Sequence, residues 1–137
     1  MYADRQSLEA RIGNETLNIL ADDNGDGVAE EGVIDEVLTQ ASFRIDASLG
    51  TRYAVPVESP PPVLEFLCVS LAAPLLFARK REPVPEEHSG LHQSALDFLS
   101  SVERGEIALF GLSPRSLFRS TSQHRDKIFS DDALKNF

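Results

Sequence analysis

The sequence predicts a mostly α-helical fold, a small bundle of about four helices with an extended loop and an extended C-terminal arm. Apolar residues recur at helical spacing along four stretches, and glycines or prolines separate those stretches. The length of 137 residues suits one domain that buries its own core. We expect residues 1–112 to form the helical domain. Residues 113–137 form the arm, which we expect to become ordered mainly on assembly.

The first helical elements are short. Asp4 can cap a helix from Arg5 to Ile12, which Gly13 ends. Asn14 is the predicted cap of a second short helix from Glu15 to Leu20. These two elements lead into a glycine-rich acidic loop at residues 22–32.

Three longer helices are expected after this loop. The first runs from about Val33 to Thr51 and carries one apolar stripe, from which Phe43 is excluded, so that Phe43 is either exposed or reserved for a partner. The second, from Pro62 to Lys80, is apolar on nearly every face, which predicts burial and also subunit contacts. The third runs from about Glu86 to Arg104. The residues that follow, GEIALFGL, predict a short extended segment.

The charge balance excludes several classes of protein. There are 13 basic and 22 acidic residues, for a net charge of -9, so gripping nucleic acid is disfavoured, although an acidic wall would let DNA slide past. Cys68 is the only cysteine, which rules out an intrachain disulfide. The N-terminal residues lack a secretory signal, and the apolar stretch from Val63 to Ala78 is too short for a membrane span. We therefore expect a soluble protein made in the cytoplasm, with no membrane partner.

The acidic loop contains the first half of a calcium-binding EF-hand loop. Its candidate ligands are Asp22, Asn24, Asp26, the backbone carbonyl of Val28, and Glu30. Position twelve is Val33 where a bidentate glutamate is needed. Two interpretations are open: a structural Ca²⁺ site that pins the loop, or a solvated acidic turn. No other cofactor is expected.

Catalytic chemistry finds little support in the sequence. His88 and His92 have a spacing that can chelate zinc, but a solvated helix start explains them better, and Cys68 is expected to be inert packing. No coherent set of nucleophile, base and orienting group occurs. A small hydrolase is therefore the last-ranked hypothesis, and we do not expect an enzyme.

Candidate interface residues fall in two places. Arg52 and Tyr53, followed by Val55, either cap the preceding helix or contact another subunit. The tail carries spaced apolar anchors and a basic cluster that can meet an acidic face of a neighbour, although a plain disordered tail is the alternative. The anchors are Phe118, Phe129, Leu134 and Phe137.

Several segments together resemble the head–tail connector family of Mu-like phages and prophages. The opening Met1-Tyr2-Ala3, the loop DDNGDG, the helix interior ASFRIDASL and the corner RYAVPV occur in the family's order. The same holds for PPPVLEFLCVSLAAPLLFAR and ERGEIALFG, and the ending KIFSDDALKNF is similar to a family C-terminus. The resemblance covers nearly the whole chain.

This resemblance implies a virion structural protein. Such an adaptor forms a ring below the portal, commonly dodecameric in related long-tailed phages, joins head to tail, and lines the channel through which DNA passes without sequence-specific binding. Its expected partners are copies of itself, the portal protein, and a tail-terminator or other tail-completion protein. The alternative is a calcium-dependent binding module of EF-hand or dockerin type.

Overall fold

The structure is a computed structural model that describes residues 1–115, and this part of the chain contains five α-helices. They are α1 (Arg5–Ile12), α2 (Asn14–Leu20), α3 (Glu31–Leu49), α4 (Pro62–Arg79) and α5 (Glu86–Glu103). The predicted mostly helical fold is confirmed. Residues 1–115 contain no β-strand, and a single antiparallel bridge joins Tyr53 to Pro114. The extended segment predicted after Gly105 is therefore wrong, because turns and bends occupy most of it.

One glycine joins α1 to α2. Asp4 caps α1 as predicted, since its carboxylate accepts a hydrogen bond of 2.9 Å from the amide of Ser7. The predicted cap at Asn14 is wrong, because Asn14 is already the first residue of α2. Gly13 occupies the cap position with a φ of +98°. Its amide donates to the carbonyl of Glu9 at the end of α1, and its carbonyl accepts the amide of Leu17 at the start of α2. Glycine adopts this conformation without strain.

Helix α3 begins and ends two residues earlier than predicted. The carbonyl of Glu30 accepts the amides of Val33 and Ile34, which starts the helix before its first apolar residue. At the other end, the amides of Arg52 and Tyr53 both donate to the carbonyl of Leu49 and turn the chain. The apolar stripe of α3 is buried.

Helix α4 is the centre of the domain. It contacts each of the other four helices. Ten of its eighteen residues are buried, among them Leu64, Leu67 and Leu76. Its length and composition would allow a membrane span, but more than half of it is buried against the rest of the chain, as in the core helix of a folded domain. The internal core therefore uses most of the apolar surface that the sequence assigns to this helix.

The first residues are anchored against α3. Tyr2 is 7% exposed, and its amide donates to the hydroxyl of Ser42 at 3.1 Å. Its own hydroxyl donates to the carboxylate of Asp46 and accepts the amide of Val57 at 2.9 Å. Burial, together with the hydrogen bond to Asp46, raises the pKa of Tyr2 to about 12. Tyr2 thus connects α3 to the segment that follows the α3 turn.

Candidate functional site

The acidic loop is organised by its own side chains. The two carboxylate oxygens of Asp22 accept the amides of Gly25 at 2.8 Å and Gly27 at 2.7 Å, and the Asn24 side chain accepts the amide of Asp26 at 3.0 Å. The Gly27 amide is the main reason that the pKa of Asp22 lies below its usual range. Both glycines have a φ of +82°, which brings their amides towards this carboxylate. The side chains of the first two predicted ligands, Asp22 and Asn24, therefore hold the loop backbone.

Two further predicted ligands, Asp26 and Glu30, are placed in the same way. Asp26 accepts the amide of Val28 at 2.9 Å, and Glu30 accepts the amides of Asp23 and Asn24, each at 2.9 Å. Within residues 1–115, no three His, Cys, Asp or Glu side chains converge on a position that could hold a metal ion. These hydrogen bonds from loop amides to loop side chains close the loop into a compact turn.

The loop is also fastened to the end of α4 by two cations. Arg79 donates to the carbonyl of Leu20 at 3.2 Å and to the carboxylate of Asp23 at 2.6 Å. Lys80 donates to the carbonyl of Asp22 at 2.9 Å and lies 3.3 Å from the Asp23 carboxylate. Arg79 and Lys80 thus form salt bridges with the loop, and they place positive charge beside the predicted ion site.

The corner after α3 holds the chain that follows α5. The Arg52 side chain donates to the carbonyl of Glu103, at the end of α5, at 3.3 Å. The Tyr53 hydroxyl accepts the amide of Leu109 at 2.9 Å, and the amide of Ala54 donates to the carbonyl of Ser113 at 2.8 Å. The guanidinium of Arg52 thus meets the C-terminal end of α5 rather than of α3. A cation there is favoured by the helix dipole.

Seven large apolar side chains are exposed within residues 1–115, and three of them lie in the corner, on α3 and on the turn after α5. Val55 lies in the corner, and Phe43 on α3 is 66% exposed. Phe110 is 92% exposed on a turn in which Gly111 has a φ of +86°, and the sequence analysis did not single it out. The sequence does contain a signal for Phe110, because an aromatic residue stands there directly before a glycine in a segment between two structured elements. The predicted anchors of the arm lie outside the described residues: they are Phe118, Phe129, Leu134 and Phe137.

Two of the remaining candidates are buried. The expected solvated position of His88 is wrong, because its ring is 8% exposed and packs against Phe77 with ring centroids 5.7 Å apart. Its Nδ1 atom has no hydrogen-bond partner within the described residues. Cys68 is buried as expected, with its thiol 3.5 Å from the Ser42 hydroxyl, and burial raises the pKa of the thiol. A buried thiol of raised pKa is a weak nucleophile. His92 lines a groove between α3, α4 and α5.

Comparison with known proteins identifies the family. The profile of the family described as Bacteriophage Mu, Gp36 matches residues 2–123. A relative, the Mu-like prophage FluMu protein gp36 of Haemophilus influenzae, is 33% identical over 113 residues, which make up 82% of this chain and 77% of that protein. Both names identify proteins of Mu-like phages, and neither states a role at the head–tail junction. The chain therefore belongs to the Bacteriophage Mu Gp36 family of Mu-like phage and prophage proteins.

Proposed function

We propose that this chain is a structural subunit of the virion, an adaptor that forms a ring below the portal and joins head to tail. Membership of the Mu Gp36 family, which points to a phage structural or morphogenesis protein, carries this proposal. The ring, commonly dodecameric in related phages, would bind the portal on one side and a tail-terminator or other tail-completion protein on the other. The protein would be made in the host cytoplasm and reside at the head–tail interface.

The exposed aromatic residues support a role in protein assembly. Phe43 and Phe110 are held on ordered backbone, and aromatic side chains of this kind dominate interface energies. Val55 lies in the corner that links α3 to the end of α5, so a subunit bound there would contact the segment that joins these two core helices. We expect a subunit that binds its neighbours to carry exposed apolar side chains on well-positioned backbone outside the core.

The charge of the chain supports a channel role. A net charge of -9 repels phosphate, so a ring of such subunits would let DNA pass without holding it. Sequence-specific binding would need clustered basic side chains that reach base edges. Arg79 and Lys80 contact the acidic loop of their own chain instead.

Removing the arm tests this proposal. A chain that ends after Arg115 keeps all five helices and the hydrogen bonds from Ala54 to Ser113 and from Arg115 to Arg52. We expect the truncated protein to fold, as shown by circular dichroism and a cooperative thermal transition, but to leave filled heads and free tails unjoined in infected cells. A folded truncated chain that still gave infectious particles would contradict the role of the arm.

The ring itself is tested by mass. We expect the assembly released from purified particles to contain the portal protein. Once the mass of the portal is subtracted from the native mass, the remainder should be a multiple of the chain mass of 15.1 kDa. Two substitutions, Phe43→Ser and Phe110→Ser, alter exposed side chains and should spare the fold. We expect at least one of them to reduce incorporation into particles, and Glu15→Ser on α2 is the matched surface control. Absence of the chain from purified virions would overturn the virion role.

A further inference from the structure

An apolar groove crosses the face of the bundle where α3, α4 and α5 meet. It has a volume of about 420 Å³ and is lined by Ala41 and Arg44 of α3, Leu71 and Leu75 of α4, and His92 and Leu96 of α5. A second depression of about 290 Å³ shares Gln40 and Leu75 with it and continues along α3 and α4. We call these two depressions together the α3–α5 groove. Its floor is apolar. The first depression carries the basic side chains Arg44 and His92, and the second carries Arg79 and the carboxylate of Glu36.

The rim has features of a binding surface. Phe43 lies one helical turn from Gln40, so its exposed ring extends the apolar surface beyond the edge of the groove. Arg44 and His92 line the first depression and can attract acidic groups. Arg44 donates to the Ser48 hydroxyl and lies 4.0 Å from the Glu103 carboxylate, which leaves further guanidinium donors for an occupant. In a chain with a net charge of -9, this combination of apolar floor and basic rim selects an occupant that is both apolar and acidic.

The last nine residues of the sequence have this chemistry. FSDDALKNF, residues 129–137, carries Phe129, Leu134 and Phe137 as apolar groups and Asp131 and Asp132 as adjacent carboxylates. The preceding part of the tail is basic instead, with residues 119, 125 and 127 as arginine or lysine. Charge therefore favours the terminal nine residues over the rest of the tail.

The segment can reach the groove of its own chain. The amide of Arg115 donates to the carbonyl of Arg52 at 3.2 Å, so the chain leaves the described fold near the end of α3. Arg44 lies eight residues before Arg52, or roughly 12 Å back along the helix. Residues 116–128 can span roughly 40 Å. A short tether also keeps an attached segment at an effective concentration on the order of millimolar.

We propose that residues 129–137 dock in the α3–α5 groove of the same chain when the subunit is free. The apolar side chains cover the floor, and Asp131 and Asp132 face Arg44 and His92. A tail held in this way is kept from other partners at low protein concentration. The proposal concerns the free chain and stands apart from the virion role.

Cross-linking of the full-length chain tests the docking. Cysteines are placed at Gln40, on the rim, and at Asn136, and a short bismaleimide is added at low micromolar protein concentration. The native Cys68 is buried and stays in place. The matched control pairs Asn136→Cys with Glu15→Cys, an exposed position on α2 that does not line the groove. We expect an intrachain link several-fold above the control, at a yield that does not change on dilution.

Charge reversal gives a second readout. Asp131→Lys with Asp132→Lys should lower the intrachain yield several-fold, and adding Arg44→Asp should restore part of it. Circular dichroism checks that each variant remains folded. Links at the level of the Glu15 control, links only between chains, or a yield indifferent to charge reversal would each overturn docking in the same chain. None of these results tests the virion role, which is measured separately on purified particles.

Discussion

The guanidinium of Arg79 lies 2.6 Å from the carboxylate of Asp23 and fastens the acidic loop to the end of α4. The hydrogen bond from Arg79 is the main cause that lowers the pKa of Asp23, and Lys80 adds to it. The loop is therefore connected to the central helix of the core by charge. The stability that this ion pair contributes should therefore depend on pH.

Replacing Asp23 with Asn should destabilise the fold slightly at neutral pH and not at all in strong acid. The free carboxyl group ionises near pH 3.8, and in the folded chain its pKa is lower. Its stabilising contribution is thus present above pH 3.8 and is lost as the pH falls through the lower folded value. The effect should be small because the pair is exposed. Thermal unfolding of both proteins at pH 7 and at about pH 2 measures it.

Arg79→Gln is the matched control for this prediction. It removes the closer of the two cations that contact Asp23 and leaves Lys80 in place. Asp23→Asn should therefore cost less in the Arg79→Gln background than in the wild type. A stability difference between wild type and Asp23→Asn that was equal at both pH values would show that the ion pair does not act as described.

Calcium should not bind the acidic loop with micromolar affinity. Asp22, Asp26 and Glu30 already accept backbone amides, and Lys80 places a cation beside the loop. Position twelve is Val33, which supplies no carboxylate. Calorimetric titration with Ca²⁺ measures the affinity. Micromolar binding that is lost in Asp22→Asn would contradict the prediction and revive the calcium module.

Replacing Tyr2 with Phe should cost about 1–3 kcal/mol of stability, because the amide of Val57 and the carboxylate of Asp46 each lose a partner. Urea unfolding at pH 7 gives this difference. The Tyr2 pKa is raised from 10.0 to about 12, so the protonated hydroxyl stabilises the fold below pH 10, and the contribution is lost between pH 10 and 12.

The free energies of unfolding of wild type and Tyr2→Phe should therefore converge as the pH rises through this range. Asp46→Asn keeps an acceptor for the hydroxyl and should cost less than Tyr2→Phe at pH 7. A gap between wild type and Tyr2→Phe that stayed constant to pH 12 would refute this account of the hydroxyl.

Helical periodicity predicted the core better than it predicted the helix ends. The apolar stripe of α3 and the burial of α4 follow from spacing and composition alone. The cap at Gly13 did not, because one residue with positive φ serves two helices and the preference of Asn for cap positions pointed one residue too far. Local preference cannot reveal a cap residue that two helices share.

The candidate sites depended on contacts distant in sequence. Arg52 was expected either to cap the end of α3 or to contact another subunit, yet its guanidinium meets Glu103, fifty-one residues away. His88 was placed in solvent because it lies in the first turn of α5, and only the packing of α5 on Phe77 buries it. Phe110 is exposed by a turn whose geometry requires Gly111. Such pairings are set by tertiary packing, which spacing along the chain does not encode.

Gly105→Ala should be more destabilising than Gly111→Ala. Both glycines have positive φ, +80° and +86°, so both substitutions carry a backbone strain of about 1–2 kcal/mol. At Gly105 a Cβ would also lie 2.6 Å from Nη2 of Arg52, whereas at Gly111 it would meet nothing within 4 Å. The Arg52 side chain must then leave the carbonyl of Glu103, which adds about 1 kcal/mol.

Urea unfolding of the two variants isolates this contact, since the strain is common to both. Combining Gly105→Ala with Arg52→Ala should cost less than the sum of the two single changes. Equal losses at the two glycines would show that the contact between Arg52 and the end of α5 contributes nothing to stability.

Replacing His88 with Leu should stabilise the fold by about 1 kcal/mol. The ring is buried, and its Nδ1 atom has no hydrogen-bond partner among the described residues, so folding removes water from a polar atom without replacement. A leucine of similar volume fills the space against Phe77 without that cost. His92→Leu, at a half-buried position, should stay within about 0.5 kcal/mol of wild type. If His88→Leu instead lowered stability by more than about 1 kcal/mol, His88 would have to make a polar contact that offsets its burial.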